Sequence, residues 1–299
     1  MSTAPRGRRG IGLEAVVSGL TGHEVRPGGS RTRPRGVVEL ADGRQVLVKH
    51  SDDPGAIPAE AAGLAWLAVT GAADVAEVLG HDDQWLVLGY LPPAAPTAVA
   101  AAGFGRGLAR LHAAGAPAFG APPPGGPVQA WIGRAPMRNE TGDDWAPWYV
   151  AHRVRPYLDV ATRRGDLGGD EVALIRAACE ALPEVAGPGV APARCHGDLW
   201  SGNVCWSGDP ARGWLIDPAA HGGHPETDLA MLALFGCPHL DAVLSGYQEV
   251  SPLAPGWRAR VGMHQLFPLL VHVVLFGSGY AGQAAAAARS VLRIAQRLT

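Results

Sequence analysis

Lysine is all but missing from this chain: of 25 basic residues in 299, Lys49 alone is not an arginine. Charge is also sparse, at 17%, and nearly balanced, with a formal net charge of -2. Such a chain carries no global field to draw nucleic acid or an anionic membrane, and neither partner is expected. Only four cysteines occur, Cys179, Cys195, Cys205 and Cys237, with no CxxC pair. That excludes a disulfide framework, offers no zinc-type spacing, and leaves reduced, buried thiols as the expectation. No apolar run approaches the roughly 20 residues of a membrane span. The longest, Leu266 to Phe276, is interrupted by Pro268 and His272 and reads as a buried helix. The basic N-terminus MSTAPRGRRG runs into the broken stretch IGLEAVVSGL, which lacks the sustained apolar segment and cleavage site of a secretion signal. A cytoplasmic protein is expected.

What the chain does have is 47% hydrophobic residues and enough length for two lobes at roughly 150 residues each. Disorder is excluded by this composition. Between residues 11 and 50, Gly-rich breaks alternate with β-type runs: the turn RPGGSRTRPRG, then VVEL and QVLVKH around Asp42-Gly43, a hairpin signal. Ile57 to Val69 repeats apolar residues at helical spacing with Pro58 in its first turn. Val75 to Leu79 and Gln84 to Tyr90 read as two more strands, ending at the connector LPPAAP. Beyond Thr97 the patterns turn helical, over 99–113, 145–162, 170–181, 240–249 and 257–298. The exception is Ala193 to Ala219, where NVCW and GWLID flank the turn SGDPARG. APAFGAPPPGGPVQ reads as an exposed loop. The expected organisation is a flexible N-terminus (1–10), a small sheet lobe with one helix (11–91), a connector (92–97) and a larger, mainly helical lobe (98–299), an α+β class.

The sharpest motif is HGDLWSGN, His196 to Asn203, with Asp217 closing the strand that follows. An Asp can accept the proton of an attacking hydroxyl, while Asn and a second Asp offer hard oxygens to a Mg²⁺ ion bridging ATP phosphates. Asp198 is therefore the expected base, with His196 bracing its loop in the catalytic set, and Asn203 and Asp217 the metal ligands. An Asx-rich turn is the bland reading of HxD alone; the full spacing with its hairpin favours phosphoryl transfer. Upstream, Gly28, Gly29 and Ser30 supply a phosphate-covering loop and Lys49 a strand lysine, in the order a kinase needs. A solitary lysine among arginines suggests that a compact ammonium is required there. Glu60 is either the ion-pair partner of Lys49 or a first-turn acid complementing its helix. Arg26, Arg31, Arg33 and Arg35 around the glycine loop are either anion-attracting or a solvated basic turn. In HGGHPETD, the residues His221, His224, Glu226 and Asp228 fit bracing of the site better than a zinc centre.

HGDLWSGN, IDPAAHGGHPETDLAM, NETGDDWAPWYVAHRVRP and LFPLLVHVVLFGSGY together resemble the fructosamine/ketosamine kinase family, within the aminoglycoside-phosphotransferase branch of protein-kinase-like folds. HGDxxxxN is common to that whole superfamily; the Trp after Leu and the later FGSGY narrow the resemblance to ketosamine kinases. The resemblance implies a two-lobed kinase-like fold, ATP with Mg²⁺, and phosphorylation of a sugar hydroxyl on a ketosamine, a step in deglycation repair. It implies Asp198 as base, Asn203 and Asp217 as metal ligands, Lys49 with Glu60 as the ATP-positioning pair, and Gly89, Tyr90 and Leu91 as the hinge beside adenine. Trp200 would lie against the sugar or sit in the core beneath the loop. The expected partner is a small ketosamine or glycated amine, and the expected state a monomer.

Three departures from the family pattern stand out. Gly89 occupies a hinge position that is usually acidic, the glycine loop is unusually basic and lacks a redox cysteine, and PAAHGGHPE replaces an aromatic near the acceptor pocket. Aminoglycoside, choline or another sugar as acceptor is the rival reading. Glu140, Asp143 and Asp144 in NETGDDW would bind an amine under it, or simply begin a helix. A nucleotide-binding pseudokinase is disfavoured because Lys49, Asp198, Asn203 and Asp217 are all present.

Overall fold

Strand periodicity decides which side chains of the N-terminal lobe face the rest of the molecule. In the computed structural model, which describes residues 12–26 and 35–298, helix α1 (Leu13–Thr21) precedes strands β1 (Arg35–Glu39) and β2 (Gln45–His50), helix α2 (Ala56–Leu67), and strands β3 (Asp74–Val75), β4 (Val78–His81) and β5 (Trp85–Gly89). The antiparallel sheet has the order β1-β2-β5-β4. Because successive side chains alternate across a sheet, Val46, Val48 and Val87 pack on Leu13 and Val17 of α1, while Leu47, Leu86 and Leu88 pack on Ile57, Ala61 and Leu64 of α2. Lys49 therefore points to the α2 side.

The larger lobe begins with α3 (Ala98–Ala113), the hairpin β6 (Gln129–Ile132) and β7 (Ala135–Arg138), α4 (Trp145–Tyr149), a π-helical turn (Val150–Val154), α5 (Arg155–Arg164) and α6 (Gly169–Val185). The segment around HGDLWSGN supplies β8 (Ala193–Cys195), β9 (Val204–Ser207), β10 (Arg212–Leu215) and β11 (His221–Gly223). Helices α7 (Pro225–Leu232), α8 (Leu240–Val250), α9 (Trp257–Phe276) and α10 (Ala281–Ala295) complete the chain. The main core gathers α4 to α6 with α9 and α10 around Tyr149, Ile175, Leu182, Phe267 and Leu270. A second core packs α3 and α8 beneath the β9–β10 hairpin.

Several elements differ from the sequence expectation. IGLEAVVSGL forms α1, its Leu13, Val16 and Val17 buried on the sheet. The run Val75 to Leu79 divides: β3 pairs parallel with β10 of the large lobe, and β4 joins the N-terminal sheet. The β6–β7 hairpin follows directly on a segment read as loop. The apolar run 266–276 belongs to a 20-residue helix, long and apolar enough to cross a membrane, yet 56% of its most apolar window is buried within the protein.

Candidate active site

The loop carrying Asp198 is fixed from below by one buried carboxylate. Asp228, fully buried on α7, accepts from the backbone N–H of His196 (2.8 Å) and of Gly197 (3.0 Å), and from His112 Nε2 (3.1 Å). His112 Nδ1 accepts in turn from the Tyr247 hydroxyl at 2.9 Å. Burial alone would raise the Asp228 pKa, but the hydrogen bonds from His112 and from the Gly197 N–H hold it below the ordinary value. His196 has no exposed surface; its Nε2 donates to the Ile216 carbonyl (2.9 Å) and its Nδ1 accepts from Asp198 N–H (3.3 Å). Burial keeps its pKa low, consistent with the neutral ring this pairing requires. Gly197 has φ +81°, and a Cβ there would lie 2.1 Å from the Ala219 carbonyl oxygen, so only glycine fits.

Above that floor, the expected site residues converge. Asn203 closes a short 3-10 turn (Ser201–Asn203), and its Nδ2 donates to the Asp198 carbonyl (2.7 Å), to Asp198 Oδ2 (3.1 Å) and to the Asp217 carbonyl (3.4 Å). This orientation commits the amide nitrogen and turns Oδ1 away from it, a hard oxygen suited to a divalent cation. The β9–β10 hairpin returns the chain so that Ile216 N–H bonds the Asn203 carbonyl at 3.1 Å, and Asp217 follows in the left-handed region at φ 53°. Lys49, 7% exposed, donates to Asp217 Oδ1 at 2.7 Å and to Glu60 Oε1. Glu60 lies one turn from Ile57 and from Leu64 on the buried stripe of α2, which aims it at the sheet. Burial, with repulsion from Asp217 and Asp228, pushes the Asp198 carboxyl up to about 7 against the opposing hydrogen bond from Asn203.

A cleft of about 790 Å³ exposes Lys49, Glu60, Asp198, Asn203 and Asp217 together. Trp200 also lines it, 38% exposed, its indole lying over Gly202, where a Cβ would fall 2.2 Å from the ring. Trp200 meets Phe235 edge-on (6.3 Å between centroids), and Phe235, His272, Phe276 and Tyr280 continue as a contiguous aromatic wall. FGSGY thus ends α9 and starts the next turn, with Phe276 lining the same cleft as Asp198. The opposite wall, Trp131 to Arg134 of the β6–β7 hairpin, is not among the residues expected from the sequence. Its signal was legible: alternating WIGRAPMR around a Gly-led two-residue turn.

Other expected residues are not in the cleft lining. Gly89, Tyr90 and Leu91 end β5 and lead into the connector, with Tyr90 N–H bonded to the Gln45 carbonyl at 3.2 Å. Asp144 is an exposed residue at the N-cap of α4 and makes no side-chain cap. Glu140 is paired with Arg138. Gly28, Gly29 and Ser30, with Arg31 and Arg33, lie outside the described residues. HGGHPETD forms β11 and the start of α7, where Glu226 takes a bidentate pair from Arg260 (3.0 and 2.5 Å) and lies 3.4 Å from His264 Nε2. His224, Glu226 and His264 cluster closely enough to share an ion, but the guanidinium on both Glu226 oxygens opposes a cation. His112, Cys195 and Asp228 also cluster, and burial drives the Cys195 thiol pKa well up, which disfavours the thiolate a metal needs.

The fructosamine kinase family model matches residues 29–294. A candidate ketoamine kinase of Synechocystis sp. is 32% identical over 291 residues, covering 93% of this chain and 95% of that protein. The crystal structure of a candidate fructosamine-3-kinase from Thermobifida fusca superposes with a TM-score of 0.86 at 46% identity, covering 94% of this chain and 98% of the other. The choline kinase LicA of Streptococcus pneumoniae shares the fold alone, at 19% identity, a TM-score of 0.62, and coverage of 94% and 97%. With the kinase-like architecture, the HGDLWSGN loop and a family match over most of its length, the chain belongs to the fructosamine kinase family.

Proposed function

We propose that the protein transfers the γ-phosphoryl group of ATP to a sugar hydroxyl of a ketosamine. The observation that carries this reading is the single cleft in which Lys49 is held by Glu60 and Asp217 while Asn203 fastens Asp198 beside them. Asp198 accepts the hydroxyl proton as the sugar oxygen bonds to phosphorus and the bond to the ADP oxygen breaks. Asn203 Oδ1 and the Asp217 carboxylate would hold Mg²⁺, which when bound neutralises charge on the phosphate oxygens. Lys49 places an ammonium against the phosphates, and Glu60 keeps it there. Glycine loop and hinge, Gly28 to Ser30 and Gly89 to Leu91, would enclose the nucleotide. His196 is a positioning residue, since both ring nitrogens are spent on the loop. Trp200 offers a flat face to the sugar. Asp144 receives no part, because it is an exposed helix N-cap outside the cleft lining.

Family membership and the names of two relatives, ketoamine kinase and fructosamine-3-kinase, support a ketosamine acceptor over choline or an aminoglycoside. The reading places a monomeric enzyme in the cytoplasm, acting on small molecules. The test is ATP consumption with Mg²⁺ against ribulosamine, erythrulosamine and fructosamine adducts, with aminoglycosides and choline alongside and phosphorus NMR to locate the new phosphate. Turnover of a ketosamine supports the reading. Turnover of choline or an aminoglycoside alone would retain the chemistry and overturn the acceptor.

A further inference from the structure

The cleft lining holds more acids than bases and carries one uncommitted cation at its outer wall. Its lining includes Asp52, Asp53, Glu60, Asp198 and Asp217 against only two Lys or Arg residues, Lys49 and Arg134. Lys49 is already paired with Glu60 and Asp217. Among the described residues, the Arg134 guanidinium has no hydrogen bond and no ion pair, and it is exposed.

Arg134 is also not on a loose loop. It is the second residue of the two-residue turn closing β6–β7, with Ile132 opposite Ala135 and φ 56° at Gly133, the Gly-first pattern of a tight hairpin. One side of the hairpin is tied to the N-terminal lobe by Trp131 Nε1, which donates to the Pro54 carbonyl at 3.2 Å. The other rests on α9, where a Cβ at Gly133 would lie 3.5 Å from Leu275 Cδ1. Arg134 thus faces the same cleft as Trp200, His272 and Phe276 from a position fixed on both flanks.

We propose that Arg134 recognises a carboxylate on the amine carrier, so that the preferred acceptors are ketosamines of amino acids. The proposal rests on the ketosamine reading of this cleft. The nitrogen of a ketosamine is a secondary amine, cationic near neutral pH, and the lining acids not paired with Lys49, namely Asp52, Asp53 and Asp198, attract it. A carrier with no other charge would then leave a bare guanidinium at the mouth, and a polyamine carrier would meet repulsion there. A zwitterionic carrier satisfies both, its ammonium toward the acids and its carboxylate on the planar fork of Arg134. The same cation discriminates by repulsion against rival cationic acceptors such as aminoglycosides.

The experiment measures kcat/KM for two matched pairs: ribulosyl-glycine against ribulosyl-methylamine, and Nε-ribulosyl-lysine against the ribulosyl adduct of 1,5-diaminopentane. The wild type is expected to favour the carboxylate member of at least one pair by roughly tenfold, the size expected of a partly exposed charge-assisted contact. Arg134→Ala should bring that ratio to about 1 through KM for the acceptor, Arg134→Lys should fall between, and Arg138→Ala, on the same hairpin but outside the cleft lining, should keep the wild-type ratio. A wild-type ratio near 1, or one unchanged in Arg134→Ala, overturns the proposal. So does a rise in KM for ATP with every acceptor, which would assign Arg134 to the phosphates. Each of these leaves the kinase reading intact, whereas turnover of no ketosamine by the wild type would overturn that reading and the proposal with it.

Discussion

Asp198 is a carboxylate that the folded protein holds at a cost. Burial and two neighbouring carboxylates raise its pKa to about 7, so the folded state binds a proton more tightly than the unfolded chain between the ordinary Asp value and about 7. Stability without nucleotide and metal therefore declines as pH rises through that window on account of this residue. Two outcomes follow for Asp198→Asn. Transfer should fall by about 10²–10⁴ in kcat, the usual contribution of a positioned base, while ATP affinity by calorimetry stays nearly unchanged. The apo variant should melt about 5 °C above the wild type at pH 8, with the gap closing below pH 4. Equal loss of transfer and ATP binding would make Asp198 a structural residue. For the wild type without Mg²⁺, acceptor kcat/KM at saturating ATP would rise through about pH 7 if any turnover persists; full turnover in EDTA would sink the metal assignment to Asn203 and Asp217.

The catalytic loop works because one element, α7, presents a carboxylate to two consecutive backbone N–H groups of another. Asp228→Ala would leave those N–H groups and His112 Nε2 buried without acceptors, at about 1–3 kcal/mol each. A urea denaturation curve should show a loss of at least about 3 kcal/mol, with kcat falling more than KM rises. Gly197→Ala should cost a similar ~3 kcal/mol, because φ +81° and a 2.1 Å approach to the Ala219 oxygen act together. A melting curve indistinguishable from wild type would refute that geometry. These elements were unequally legible in the sequence. Asp42-Gly43 and the alternation of QVLVKH announce the β1–β2 hairpin, and the spacing from Asp198 to Asn203 to Asp217 announces the loop. The stripe Leu13, Val16, Val17 is equally local, yet nine residues between glycines carry no helix signal until a sheet exists to cover them. Helix α7 stayed hidden because its first turn, PETD, is polar, and those side chains find their partners on α3, on the His196–Gly197 loop and on α9, all more than 30 residues away in sequence. Lys49, Glu60, Asp198, Asn203 and Asp217 could be read because strand, helix and loop signals order them along the chain; the turn at Gly133 and Arg134 was equally local, but which wall of the cleft its hairpin forms is set by packing alone.

At the scale of the molecule, the two lobes are stitched at several places. β3 pairs parallel with β10, the Ala76 N–H bonds the Leu215 carbonyl at 3.0 Å, Arg194 Nη1 donates to the Trp66 carbonyl at 2.7 Å, and Trp131 reaches Pro54. Such crossings make independent unfolding of the small lobe costly, so far-UV and near-UV circular dichroism should report one coincident urea transition. The pH dependence of that transition tests how the interior is charged. Burial depresses the pKa values of His196, His224 and His264, and takes His221 to about 3. A buried neutral histidine binds fewer protons folded than unfolded, so its contribution is complete above about pH 6.5 and is lost as pH falls below that value. Glu226 is lowered to about 2, the pull of His264 and Arg260 outweighing burial, and Asp228 is lowered as well; their contribution holds above about pH 4.5 and erodes beneath it. Asp198 acts in the opposite sense, gaining stability as pH falls from about 7. Four histidines outweigh one carboxylate, so the urea midpoint should decline from pH 6.5 to 5 and more steeply below 4.5. In Asp198→Asn, the opposing contribution is gone, and the decline between pH 6.5 and 5 should steepen. A midpoint that stays level down to pH 5 in both proteins would mean that these histidines are charged or solvated in the folded state.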